Sequence, residues 1–288
     1  MAEPHRLIFV GAHPDDESFG PGGTLAHYAA TGARVYYACA TRGEVGEASA
    51  EHMTGHASTG DMRWSELVCA GKALGLADVI HLGYRDSGMP GSPNNQAAGA
   101  LVAAPLDGVT ERVVKVLREV RPQVVMTFDP IGGYRHPDHI AIHSATNRAF
   151  QAAGDAAQYP EAGPAYTPQK LYYIVFPQNL LRLATRLMPL LGRDPRKFGT
   201  NHDIDLVDLT KVEFPIHAVV KLDGQAKAAK QAASACHRSQ VAGGPTARGL
   251  VGLAFRLGAG RESFMRAFPE PKVGERRERD LFEGVTGV

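Results

Sequence analysis

Between residues 7 and 176, short and nearly continuous apolar runs alternate with longer segments whose apolar residues recur at helical spacing. A strand that is apolar on both faces must be covered on both, which leaves such a chain little choice beyond a parallel sheet between layers of helices. Five runs qualify: Leu7 to Gly11, Arg34 to Ala40, Val79 to Leu82, Gln123 to Phe128 and Lys170 to Phe176. Helices are expected between them at Thr24 to Ala30, Met62 to Leu74, Val109 to Val120 and Pro137 to Phe150, several closed by a glycine or an arginine-proline pair. Residues 86–104, rich in Gly, Pro, Asn and Ala, read as a long loop of the kind that shapes a binding site. After Pro177 the pattern thins to one extended stretch near Ile204 to Leu209 and a helix from Gln225 to His237.

Composition narrows the partners. At roughly 150 residues per domain, 288 residues allow one large unit or two modest ones. With 44% hydrophobic and 21% charged residues the chain is neither disordered nor a membrane protein by composition. Lysine plus arginine is 31 against 30 acidic residues, a net charge of +1, so nothing draws it to a phosphate backbone and no nucleic-acid partner is expected. The first apolar run, Leu7 to Val10, is too short for a signal peptide, and Leu180 to Leu191 is broken by Arg182 and Arg186. The latter is expected as an amphipathic helix, a candidate lid or intersubunit contact of a homo-oligomer, and not a transmembrane segment. Cys39, Cys69 and Cys236 are too few and too scattered for a disulfide framework or a thiolate metal cluster, and a cytoplasmic location is the corresponding expectation. Gly20, Gly22 and Gly23 precede a helix but lack the spacing of a dinucleotide loop.

The unusual count is twelve histidines, and some of them fall where ligands bind in open parallel sheets, at the carboxyl ends of strands. After the first strand comes Ala12-His13-Pro14-Asp15-Asp16-Glu17; an exposed acidic turn capping the next helix is the plainer reading of this cluster. After the fourth comes Asp129-Pro130-Ile131-Gly132-Gly133-Tyr134-Arg135-His136-Pro137-Asp138-His139. Pro137 suits the first position of a helix, which puts His136 at the N-cap and His139 in the first turn. Catalytic zinc takes three protein nitrogen or oxygen ligands and leaves a position for water, and His13, Asp16 and His139 supply such a set. The resulting positive centre makes hydroxide available near neutrality, Asp15 is the candidate base, and His136, oriented by Asp138, is the candidate oxyanion stabiliser or acid for the leaving amine. Ferrous iron or cobalt suits the same donors.

These two motifs resemble those of the N-acetylglucosaminyl deacetylase family, called PIG-L or LmbE-like. The resemblance implies a Rossmann-like, mostly parallel α/β sheet with helices on both faces and a smaller irregular C-terminal region. It also implies zinc-dependent removal of acetyl from an N-acetylglucosaminyl conjugate, with His13, Asp16 and His139 as ligands and Asp15 as base. Thr41-Arg42-Gly43-Glu44-Val45-Gly46-Glu47, Arg63 and Arg85-Asp86-Ser87-Gly88-Met89 are similar to the family's actinobacterial members acting on N-acetylglucosaminyl-inositol in mycothiol synthesis. By that resemblance Glu47, Arg63 and Asp86 bind substrate hydroxyls and Tyr134 reaches the acetyl carbonyl. It covers residues 7 to 150 and fades beyond Pro177, where His237-Arg238-Ser239-Gln240 is similar to a family segment near the site. On this reading residues 1–176 form the catalytic core, and 177–288 complete the fold and the substrate pocket within one integrated domain. An amidase acting on a larger glucosaminyl amide and a sugar-binding module without turnover are the alternatives. Glu17 is expected to cap backbone amides, Asp129 either to hold a ligand histidine or to cap its turn, His143 to be a helix-face residue, and Trp64 to pack or to stack on a sugar.

Overall fold

In the computed structural model, which describes residues 3–198, 204–241 and 260–286, strand β1 (Arg6–Gly11) lies inside a seven-stranded sheet. Its Leu7, Ile8, Phe9 and Val10 are wholly withdrawn from solvent, as a run apolar on both faces requires. In chain order follow α1 (Asp16–Phe19), α2 (Gly22–Ala30), β2 (Arg34–Cys39), α3 (Thr59–Leu74), β3 (Asp78–His81), α4 (Leu106–Val120), β4 (Val124–Phe128), α5 (Gly132–Arg135), α6 (Pro137–Ala152) and β5 (Lys170–Val175). Beyond β5 come α7 (Gln178–Leu187), α8 (Leu206–Leu209), β6 (Ala218–Lys221), α9 (Gly224–Cys236), α10 (Arg238–Val241) and β7 (Arg261–Phe268). The strand order is β3-β2-β1-β4-β5-β7-β6, with the first five strands parallel and β7 antiparallel to both neighbours. From β1 the chain winds outward to β3 and then returns to place β4 on the other side of β1, so the switch point of the sheet falls between β1 and β4. Both histidine motifs follow those two strands.

The five expected strands are present within a residue or two of their expected ends, and the four helices lie where the apolar spacing puts them. Three expectations need correction. Ile204 to Leu209 is not extended: Ile204 makes a single bridge to Phe198, and Asp205 then starts the helical turn α8 by accepting from the N–H groups of Val207 and Asp208. The sequence pattern does not mark strands β6 and β7, because Arg261, Glu262 and Arg266 interrupt the apolar pattern of β7. Glu262 and Arg266 each have a structural use. Glu262 accepts from the first amides of α2, Gly23 at 3.1 Å and Thr24 at 2.7 Å, and pairs with Lys230. Arg266 and Lys170 share the buried carboxylate of Glu278 at 2.6 and 2.7 Å. Finally, Cys69 and Cys236 form a disulfide with Cα atoms 5.8 Å apart, while Cys39 is buried and free. Counting and spacing miss this pair because only the packing of α3 against α9 brings the two together.

Helix α7 is amphipathic as expected and, with the turn after it, leaves Leu183 and Leu190 exposed. Among the described residues no helix is long and apolar enough to cross a membrane. On α4 a single buried side chain, Arg118, organises the whole connection from α6 to β5: its guanidinium donates to the carbonyls of Ala152, Ala153, Asp155, Gln158, Tyr159 and Gly163 at 2.6 to 3.3 Å. Replacing Arg118 by leucine should therefore cost about 3 kcal/mol or more, since it strands several carbonyls at once. A urea-midpoint shift equivalent to less than about 1 kcal/mol would show that water replaces it freely.

Candidate active site

The turn after β1 is held by its own carboxylates. Asp16 Oδ2 accepts from the backbone N–H groups of Ala12 at 3.0 Å and His13 at 2.7 Å, which folds the side chain back and leaves Oδ1 facing inward. Asp15 sits between them at φ 121°, a backbone region that residues with a Cβ rarely adopt. After β4, Asp129 Oδ1 accepts from Ile131 and Gly133, both at 3.0 Å, so Asp129 caps its turn. Gly132 has φ 67°, and a Cβ there would stand 2.8 Å from Ile140 and 2.9 Å from His139 Cβ, so only glycine lets this turn pass under α6. Pro137 opens α6 with His136 at its N-cap, as its sequence predicts, and His136 Nδ1 accepts from the Asp138 N–H at 3.2 Å.

Hydrogen-bond partners fix the imidazole tautomers. His13 Nε2 faces the carboxylates of Asp138 at 3.2 Å and Asp86 at 3.5 Å, so it carries a proton, and Nδ1 is directed inward. His139 Nδ1 faces the Gly132 carbonyl at 3.2 Å, which leaves its Nε2 lone pair directed inward. These two inward nitrogens are 3.2 Å apart, and Asp16 Oδ1 lies 3.4 Å from His139 Nε2, with Asp16 Oδ2 3.8 Å from His13 Nδ1. Facing lone pairs repel unless a cation or a proton lies between them. Donors about 3.3 Å apart are also what tetrahedral bonds of about 2.0–2.1 Å to a zinc ion require.

The residues therefore fit a metal. His13, His136 and His139 also bring ligand atoms within 4.8 Å of one another. In its neutral form His136 has its proton on Nε2, because Nδ1 is an acceptor, and that tautomer makes it a donor rather than a ligand. The carboxylate of Asp138, expected to orient His136, instead holds His13 and the Ser87 N–H, and only the backbone of Asp138 reaches His136.

Burial sets the electrostatics of Asp15, His136 and Tyr134, whereas His13, against its burial, is held well above its usual range by Asp86, Asp138 and Asp16. Burial raises the Asp15 carboxyl to about 6, against the pull of Arg63, whose Nη2 lies 2.9 Å from Asp15 Oδ2. Burial and the neighbouring His13 and His139 push His136 down to about 2, which keeps it neutral. Burial, with Asp16 and Asp15 nearby, holds the Tyr134 phenol well above its usual range, so it is a donor at any ordinary pH.

His13, Asp15, Glu47, Arg63, Asp86, Tyr134 and His136 converge on one cavity of about 230 Å³. Tyr134 meets His136 and His139 edge-on. Arg63, expected at the substrate hydroxyls, is largely committed to Asp15 and to the carbonyls of Pro14 and Gly43. Ser239, Gln240 and Ile204 complete the wall; the first two belong to the His237-Arg238-Ser239-Gln240 segment, and nothing in the local sequence marks Ile204. Glu17 caps the Asp15 amide at 2.9 Å as expected, and also bonds His237. His143 bonds the Phe128 carbonyl, and Trp64 packs against His81 and Arg42.

A family model described as GlcNAc-PI de-N-acetylase, PIG-L, matches residues 8–150. The chain is similar along its whole length to proteins named 1D-myo-inositol 2-acetamido-2-deoxy-alpha-D-glucopyranoside deacetylase. The one from Geodermatophilus obscurus is 38% identical with 100% of both chains covered, and the one from Streptomyces avermitilis 40% identical with 97% of both. Among solved structures, a conserved protein of Thermus thermophilus matches with a TM-score of 0.55 at 24% identity over 96% of this chain and 100% of that one. The 4-carboxy-2-hydroxymuconate hydratase of Pseudomonas putida matches with a TM-score of 0.52 at 18% identity over 94% and 100%. These two likenesses establish the fold, and since one of the two is a hydratase, activity has to be argued from the site.

Proposed function

This chain belongs to the PIG-L family, and from that premise we propose that it is a zinc-dependent deacetylase that hydrolyses the acetamide of an N-acetylglucosaminyl-inositol conjugate. The observation that carries the reading is the pair of inward imidazole nitrogens, His13 Nδ1 and His139 Nε2, 3.2 Å apart beside Asp16 and next to a cavity lined by Asp15, Tyr134 and His136. His13, Asp16 and His139 would hold the zinc, which when bound would supply Lewis acidity to a water and an amide carbonyl.

The remaining steps belong to the side chains. Asp15, with Oδ2 held by Arg63, accepts a proton from the attacking water, and a carboxyl raised to about 6 can return that proton to the departing amide nitrogen. His136 donates Nε2–H, and Tyr134 its hydroxyl, to the carbonyl oxygen as negative charge grows on it. Neutral donors suffice for that role, so His136 need not be an imidazolium. Glu47 and Asp86 accept from sugar hydroxyls, and Arg63 acts first by fixing Asp15.

Purified chain loaded with zinc should release free amine and acetate from N-acetylglucosaminyl-inositol, lose the activity to a chelator and regain it on adding zinc, ferrous iron or cobalt. No acetate from the zinc-loaded chain would sink the proposal. Glu47→Ala should raise KM for the conjugate about tenfold with kcat little changed, the worth of one charged hydrogen bond to substrate. An unchanged KM removes Glu47 from the sugar site.

A further inference from the structure

Helix α9 ends at Cys236, and the next residue sets its ring against the turn that carries Asp15. His237 Nε2 lies 2.7 Å from Glu17 Oε1, and both side chains are wholly withdrawn from solvent. Ser18 Oγ donates to the same oxygen at 2.5 Å. The other oxygen, Oε2, accepts the backbone N–H of Asp15 at 2.9 Å. Asp15 needs such an anchor, because φ 121° is not a conformation its residue type keeps unaided. With one oxygen bonded to an amide of its own turn and the other held by His237 and Ser18, this buried carboxylate is fixed at both ends.

We infer that His237 is a positioning residue for Asp15, acting through Glu17: it fixes the carboxylate whose second oxygen holds the Asp15 main chain in the geometry that presents its side chain to the cavity. The inference rests on the reading of Asp15 as the base. It gives the α9 segment a part in the chemistry without contact to the reacting atoms, across a sequence separation of 220 residues.

Two substitutions separate positioning from packing. His237→Gln keeps an N–H donor where Nε2 lies, whereas His237→Asn moves the donor to the Nδ1 position and away from Glu17. With zinc-loaded chain and the N-acetylglucosaminyl-inositol conjugate, His237→Asn should lower kcat about 10- to 100-fold, a loss typical of a displaced catalytic group, with KM and zinc per chain within about twofold of wild type. His237→Gln should stay within about threefold of wild type. In an Asp15→Asn background, adding His237→Asn should change the residual rate less than about twofold, because its route to the reaction is already cut.

A wild-type kcat in His237→Asn, a loss in KM or zinc content instead, or effects that multiply in the double variant would each overturn the inference. If His237→Asn does not fold, His237→Phe, which keeps the ring without the donor, takes its place with the same expectations. A wild-type chain that releases no acetate, or an Asp15→Asn variant at full rate, overturns the functional reading instead, so the two failures are distinguishable.

Discussion

Asp15→Asn should lower turnover of the N-acetylglucosaminyl-inositol conjugate by about 10²- to 10⁴-fold, the usual worth of a positioned general base, while zinc still binds at one ion per chain. Asparagine keeps the size of the side chain and can still accept from Arg63 Nη2, now 2.9 Å from Asp15 Oδ2, so the turn after β1 should survive. What disappears is the basic oxygen. The zinc measurement matters as much as the rate, because Asp15 is the immediate neighbour of Asp16 and a collapsed turn would abolish both. Full turnover with zinc bound refutes the base assignment; loss of zinc refutes the separation of roles between the two aspartates.

His139→Ala should have the opposite signature, with turnover falling to background because the metal leaves. In the wild type, zinc should raise the unfolding midpoint, since a ligand that binds only the folded state at 100 times its Kd contributes about 2.7 kcal/mol. The variant should lose that response and hold little zinc after dialysis against a chelator. The reason is geometric: His139 Nε2 supplies one of the two nitrogens that face each other at 3.2 Å, and its ring is held in place by stacking on Phe128 at a centroid distance of 3.8 Å. A variant that retains stoichiometric zinc would move the ligand role elsewhere, with His136 the first alternative.

How much of this was legible beforehand depended on whether the information was local. The turn residues His13, Asp15 and Asp16 and the helix start His136-Pro137-Asp138-His139 could be read because each group follows a strand apolar on both faces, and a strand end on a parallel sheet is a physical address. The direction of the Asp138 carboxylate could not, because it is set by His13 and the Ser87 N–H, 125 and 51 residues away. Strand β7 was hidden for a related reason: Glu262 and Arg266 look like loop residues until Lys230, the amides of α2 and Glu278 are seen to pair them. Ser239 and Gln240 reach the cavity only because α9 packs on α3. Local pattern identified the reacting groups, and tertiary packing decided what holds them.

The Cys69–Cys236 bond closes a loop across a sequence separation of 167 residues, with β3, β4, β5 and β6 inside it and β1, β2 and β7 outside. In a chain-entropy picture a closed loop of that length removes about 5 kcal/mol of freedom from the unfolded chain. Cys69 is exposed and Cys236 half-buried, so small thiols can reach the bond. The resistance of this protein to heat and denaturant is thus a property of its surroundings as well as its sequence: the same 288 residues are two different polymers once unfolded, a linear one where thiols prevail and a lassoed one where they do not.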